Sequence, residues 1–237
     1  MGSEMCIRDS IKEASGKLGV MIVGMGGAVS TTLITGVLSA RKGLAKPIGS
    51  ITQMASIKMQ DGKEHLIKDI VPIADLEDIK FGGWDIFEDN AYDAAMYAEV
   101  LKEKDLNKVK DELIEIKPIP AVFDHNFAKR LNGTYIKKAE TRWDMVALLR
   151  QDIRKFKEEN GCDRIVVLWA ASTEIYIPLA EEHKTLESLE KAMKDNRTDI
   201  IAPSMCYAYA ALSEGAPFVM GAPNLLSLIH ISEPTRP

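Results

Sequence analysis

The sequence predicts an α/β fold on a doubly wound, mainly parallel sheet, and three observations predict it. Short apolar runs alternate along the chain with segments of helical periodicity. The run at 164–169 is apolar at consecutive positions, as a strand covered on both faces must be. The first run, 17–24, ends in a glycine-rich turn that leads directly into a helical segment.

Taken in order, Lys17 to Gly24 reads as a buried strand and 24–29 as a tight turn. Ser30 to Arg41 reads as a helix with Leu33, Val37 and Leu38 on its inner side and Gly43 as its stop. Ile48 to Met59 carries β-branched residues and is expected to hold a second strand, and polar Asp61 to Ile70 a loop. Lys80 to Phe87 reads as a strand end. Asp89 to Glu103 reads as a helix capped by Asp89, with Tyr92, Ala95, Met96 and Leu101 at helical spacing. The charged stretch Lys102 to Glu115 is expected to be a solvated face and loop. Pro118 to Phe123 is a short apolar segment. Trp143 to Glu159 is an amphipathic helix with Val146, Leu149, Ile153 and Phe156 on one face. The strand Arg164 to Trp169 follows, then helices at Leu186 to Lys194 and Pro203 to Ser213.

Composition limits the function classes. A chain of 237 residues that is 46% hydrophobic can bury a sizeable core. A net charge of −5 argues against nucleic acid as the partner, which needs a basic face. No apolar run is long enough to span a membrane, and no charged-then-apolar leader is visible, so a cytoplasmic protein is expected. Three cysteines without C-x-x-C spacing suggest neither a disulfide framework nor a metal site. His65, His125 and His183 lie far apart in polar settings and are expected at the surface.

Three places carry chemistry. Gly24, Gly26 and Gly27 sit at the first strand-turn-helix junction, where backbone N–H groups can meet a phosphate. Val29 takes the third position of the usual G-x-G-x-x-G, so the motif is imperfect, and a turn without ligand has the same form. No acid occurs between Glu13 and Asp61, where a ribose-binding carboxylate is expected about 20 residues on. Asp85, after Gly82, Gly83 and Trp84 at a strand's carboxyl end, is the candidate, although a turn or cap role fits it too. The third place is 169–174, where small residues and the hydroxyls of Ser172 and Thr173 follow a strand, as a ligand wall or as a capped loop.

The two ends look foreign. Residues 2–10, GSEMCIRDS, resemble the translation of a transposon-end sequencing adapter, and 226–237, LSLIHISEPTRP, the same adapter read on the opposite strand. The expected organisation is therefore adapter at 1–10, a partial nucleotide domain at 11–225, and adapter at 226–237, with no function at Cys6 or His230.

The words VMIVGMGGAVSTTL at 20–33, FGGWDIF at 81–87, IVVLWAASTEIY at 165–176 and APSMCYAYAALSEGAPFVMGAPN at 202–224 together resemble the inositol-3-phosphate synthase family. Ala28 and Val29 stand where the eukaryotic form has two asparagines, which looks like the bacterial branch. The resemblance implies a Rossmann-like NAD-binding domain, here incomplete, with most of the catalytic and tetramer-building α+β domain missing. It implies isomerisation of D-glucose 6-phosphate to 1L-myo-inositol 1-phosphate, serving inositol and phospholipid synthesis, in a homotetramer. By match, Gly24, Met25, Gly26, Gly27, Ala28 and Val29 would meet the pyrophosphate. Asp85 would hold the adenosine ribose, Ala171, Ser172 and Thr173 would lie along the dinucleotide, and Asn224 would approach the substrate. The family's Lys-(Ser/Thr)-Gly-Gln-Thr-like word is absent, so no catalytic residue is named and the chain alone is expected to be inactive. An ordinary NAD-dependent dehydrogenase and a non-enzymatic NAD(H)-binding module are the competing readings.

Overall fold

Parallel strands need long crossovers, and the apolar runs of this chain are spaced to provide them. The computed structural model describes residues 15–224; the adapter-like ends, with Cys6, His230 and the boundary at Leu225, lie outside the described residues. The chain runs β1 (Leu18–Val23), α1 (Ala28–Arg41), α2 (Ile51–Met54), β2 (Ser56–Lys58), β3 (Glu64–Leu66), α3 (Ile67–Ile70) and β4 (Ile79–Asp85). It continues through α4 (Ala91–Ala98), α5 (Glu103–Leu106), α6 (Lys110–Glu115), β5 (Ile119–Pro120) and α7 (Arg142–Glu159). The last elements are β6 (Arg164–Trp169), α8 (Leu186–Lys194), α9 (Pro203–Ser213) and β7 (Phe218–Met220).

Five strands form one sheet in the order β5-β4-β1-β6-β7, every neighbouring pair parallel. The chain fills one side of β1 first and then returns to the other. The order therefore reverses beside β1, which makes this a Rossmann-like doubly wound sheet with its switch point there. Alternate β1 residues serve opposite layers. Met21 and Val23 pack with α7 and α9, while Ile22 packs with α1 and α4. The run in β6 is apolar on both faces for the same reason: Val167 and Trp169 face one layer and Leu168 the other.

The inner face of α7 carries Val146, Leu149, Ile153 and Phe156, all buried. Thr141 starts that helix with a capping box, its hydroxyl accepting from Asp144 N while the Asp144 carboxylate accepts from Thr141 N. Gly82 leaves room for this layer, since a Cβ there would lie 2.4 Å from the Phe156 ring.

Five expectations are corrected. In α1 the buried stripe is Ser30, Thr31, Ile34, Thr35 and Leu38, while Leu33 is exposed. Hydroxyls can line this core because the turn satisfies them: Ser30 Oγ donates to Gly24 O at 2.7 Å and Thr31 Oγ1 to Gly27 O at 3.0 Å. The strand expected within 48–59 is β2, but it pairs only with β3 in a separate antiparallel hairpin, so 61–70 is not a loop. Helix α4 is capped by Asn90 rather than Asp89, the Asn90 side chain accepting from Tyr92 N and Asp93 N, and it ends at Ala98. The charged stretch 102–115 is mostly helical and buries Leu106, Val109 and Leu113 beneath α1 and α4; its charges hid an apolar face spaced three and four apart. His183 is buried, its Nδ1 accepting from Ala180 N at 3.1 Å and its Nε2 bonding Ile200 O at 2.9 Å, so it knits a loop together instead of facing water.

Candidate dinucleotide site

Ligands of open α/β sheets bind outside the carboxyl ends of the strands, at the switch point. The carboxyl ends of β1, β4 and β6 meet there around an open cavity of about 370 Å³. Of the residues singled out in the sequence, Gly24, Gly26, Gly27, Ala28, Asp85, Ala171 and Ser172 line it. Three do not. The Met25 side chain is fully buried in the core under α1, Val29 is 71% exposed beyond the rim, and Thr173 is exposed. Asn224 also stands back from the cavity, bound to Glu174.

The glycine turn is built for close approach. Gly24 has φ +83°, and a Cβ on it would lie 2.7 Å from Ala171 Cα, so only glycine fits between the end of β1 and the loop after β6. Gly24 N and Met25 N both donate to Trp84 O, which fastens the turn to β4. Gly27 caps α1 without a side-chain acceptor, and no acid occurs in the first turn. The leading N–H groups of a 14-residue helix therefore open toward the cavity with their positive end uncompensated.

Asp85 ends β4, the strand beside β1, which is the place an acid occupies when it holds a ribose. Its distance from the glycine turn has a structural cause. Residues 42–78, including the β2–β3 hairpin, are inserted between α1 and β4, so the acid arrives late in sequence but in the usual position in space. Gly83 has φ +144°, and a Cβ on it would lie 2.0 Å from Ile22 O, which draws β4 tightly against β1. Asp85 Oδ2 accepts from Gly26 N at 2.7 Å and Oδ1 from Phe87 N at 3.1 Å. A carboxylate has about four acceptor positions, so roughly two remain for ligand hydroxyls. Burial raises the Asp85 carboxyl above its ordinary range, opposed by the bonds from Gly26 and Phe87.

Two acids on the cavity wall were assigned no role from sequence. Asp124 pairs with Arg142, which is 2% exposed and also donates through Nε to Ile201 O at 3.1 Å. Glu174 accepts from Ser204 N at 3.1 Å and from the Ser204 hydroxyl. Burial pushes its carboxyl up to about 7, against the pull of those bonds and of Arg142. The signal for Glu174 was its place just past a strand end, beside the hydroxyls already noted. The cavity wall also contains Trp169, whose Nε1 is buried with no acceptor among the described residues. An uncapped helix start, a glycine cradle and a half-used carboxylate fit a dinucleotide's pyrophosphate and ribose.

Residues 18–233 match the NAD-binding family model described as myo-inositol-1-phosphate synthase. The chain belongs to that family. It is 72% identical over 219 residues to inositol-3-phosphate synthase 1 of Bacteroides thetaiotaomicron, covering 92% of this chain and 51% of the relative. It is 36% identical to inositol-3-phosphate synthase isozyme 1 of Arabidopsis thaliana, covering 88% of this chain and 44% of that one. The crystal structure of inositol-3-phosphate synthase from Caenorhabditis elegans matches with a TM-score of 0.80 at 27% identity, over 88% of this chain and 45% of that one. The chain thus spans about half the length of the relatives it matches. Among the described residues, no helix is long and apolar enough to cross a membrane, and no group of His, Cys, Asp or Glu is placed to hold a metal ion.

Proposed function

We propose that this chain is the NAD-binding part of an inositol-3-phosphate synthase. In the whole enzyme the reaction is isomerisation of D-glucose 6-phosphate to 1L-myo-inositol 1-phosphate, in a cytoplasmic homotetramer that serves inositol and phospholipid synthesis. The observation that carries the reading is the convergence of Gly26 and Asp85 on one cavity at the switch point of a family-matched sheet. NAD, when bound, supplies a reversible hydride acceptor, so that a sugar alcohol can be oxidised and later restored without net redox change.

The chain's own residues bind and orient. The backbone N–H groups of Ala28, Val29 and Ser30 at the start of α1 hold the pyrophosphate, while those of 24–27 are bonded within the fold to Trp84, Asp85 and Gly24 and shape the turn for its approach. Ala28 and Val29 bring no side-chain amide, so main-chain donors suffice there. Met25 serves by fixing the turn, with its side chain buried below and its N–H held by Trp84 O. Asp85 accepts from the adenosine ribose hydroxyls with the positions left free by Gly26 and Phe87. Ala171, Ser172 and Thr173 flank the dinucleotide on the β6 side, and Asn224, bonded to Glu174, approaches the substrate from behind that loop.

Calorimetric titration of the 237-residue chain tests this. One NAD⁺ should bind per folded chain. Adding glucose 6-phosphate should release no free NADH, whereas an ordinary dehydrogenase would accumulate it. Folded protein that ignores NAD⁺ would remove the basis of the proposal.

A further inference from the structure

Glu174 and its neighbour Ile175 hold the loop after β6 in place by bonds to three separate parts of the fold. Its carboxylate takes both donors of Ser204, at the start of α9. Asn224, just past β7, clasps it twice: Nδ2 donates to the carboxylate at 3.3 Å, and Oδ1 accepts from Glu174 N at 2.9 Å. Ile175 N then donates to Phe127 O at 2.9 Å, which ties the same stretch to the segment after β5. Burying a carboxylate is costly unless it is well bonded, and a loop with no task could be closed by a neutral side chain at less cost.

Its place in the sheet suggests the task. In this strand order the acid ending the strand next to β1 serves the adenosine half of a dinucleotide, and the other half lies across the switch point. Asp85 ends β4 on one side of β1, and Glu174 follows β6 on the other. The loop between β6 and Glu174 begins against the glycine turn at Ala171 and continues along the cavity wall through Ser172 to Glu174 itself.

We propose that Glu174 is a positioning residue for the nicotinamide half of the dinucleotide, holding the Ala171–Thr173 loop at its working distance through Ser204 and Asn224. This rests on the NAD reading above. The adenosine half is held independently by Asp85 and the glycine turn, so the two halves are separable by ligand.

The test compares NAD⁺ with ADP-ribose, which lacks the nicotinamide, by calorimetry on the whole chain. At pH 8, above the titration of this carboxyl, Glu174→Gln replaces an acceptor-only group, facing three donors, with an amide that carries donors of its own. It should weaken NAD⁺ about tenfold, the equivalent of about 1.4 kcal/mol, and leave ADP-ribose within about twofold. Asn224→Ala, which removes the clasp from the other side, should give the same pattern while the chain still melts cooperatively. Asp85→Ala should weaken both ligands. Equal losses for NAD⁺ and ADP-ribose in Glu174→Gln would mean a general fold effect and overturn the inference, as would no loss of either. A folded wild-type chain that binds neither ligand would overturn the nucleotide reading, and this inference with it.

Discussion

Replacing Asp85 by alanine should separate a ribose-binding carboxylate from a mere staple of the glycine turn. Two bonds made by Asp85 are internal, to Gly26 N and Phe87 N. The remaining acceptor positions face the cavity. Hydrogen bonds to a charged group contribute about 1.5–3 kcal/mol each, so losing one or two to a ribose should weaken NAD⁺ roughly 10- to 100-fold or more. The stability change should be smaller, because the two orphaned N–H groups are offset by removing a carboxylate that burial already disfavours. The assay is calorimetry with NAD⁺ and its adenosine 2′-deoxy analogue, with thermal melts alongside. Wild type should prefer the ligand with the hydroxyl, and Asp85→Ala should lose that preference. If Asp85→Ala weakens both ligands but keeps the preference, the carboxylate only shapes the turn and the ribose assignment fails.

Three further outcomes follow from the structure. The folded-state carboxyl of Glu174 lies near 7 rather than its ordinary 4.5, so between those values the folded chain keeps a proton that the unfolded chain has released. Stability should therefore rise as pH falls from 8 toward 5, by on the order of 3 kcal/mol from this group, and Glu174→Gln should flatten that slope; melts that fall with acidification through this window would contradict it. A Cβ on Gly36, inside α1, meets nothing within 4 Å, so Gly36→Ala should stabilise by about 0.5–1 kcal/mol, whereas Gly83→Ala should prevent cooperative folding because its Cβ would overlap Ile22 O. Arg142→Met strands the Asp124 carboxylate and the Ile201 carbonyl, and chemical denaturation should show a loss of about 3–5 kcal/mol.

The sheet was legible in the sequence wherever burial on both faces forced a continuous apolar run, as in β1 and β6. The layers were legible where a helix shows a clean stripe, as in α7. They were not legible where polar atoms replace apolar ones in the core: the stripe of α1 uses Ser30, Thr31 and Thr35, and the partners of Ser30 and Thr31 exist only once the turn is folded. Charges masked Leu106, Val109 and Leu113, because the apolar residues are a minority in that segment. Asp85 is legible from the Gly-Gly before it, and its late arrival in sequence comes from the 42–78 insertion, which leaves β4 as the neighbour of β1. The role of Glu174 was not legible, since its partners Ser204 and Asn224 lie far along the chain and meet it only through the parallel order of β6 and β7.

Amide hydrogen exchange with and without NAD⁺ tests most directly whether the cavity at the switch point is the dinucleotide site. The account predicts added protection at 24–30, at 85–87 and at 170–174, with little change along α7. Protection that spares the 24–30 turn, or that maps to the opposite edge of the sheet, would contradict it.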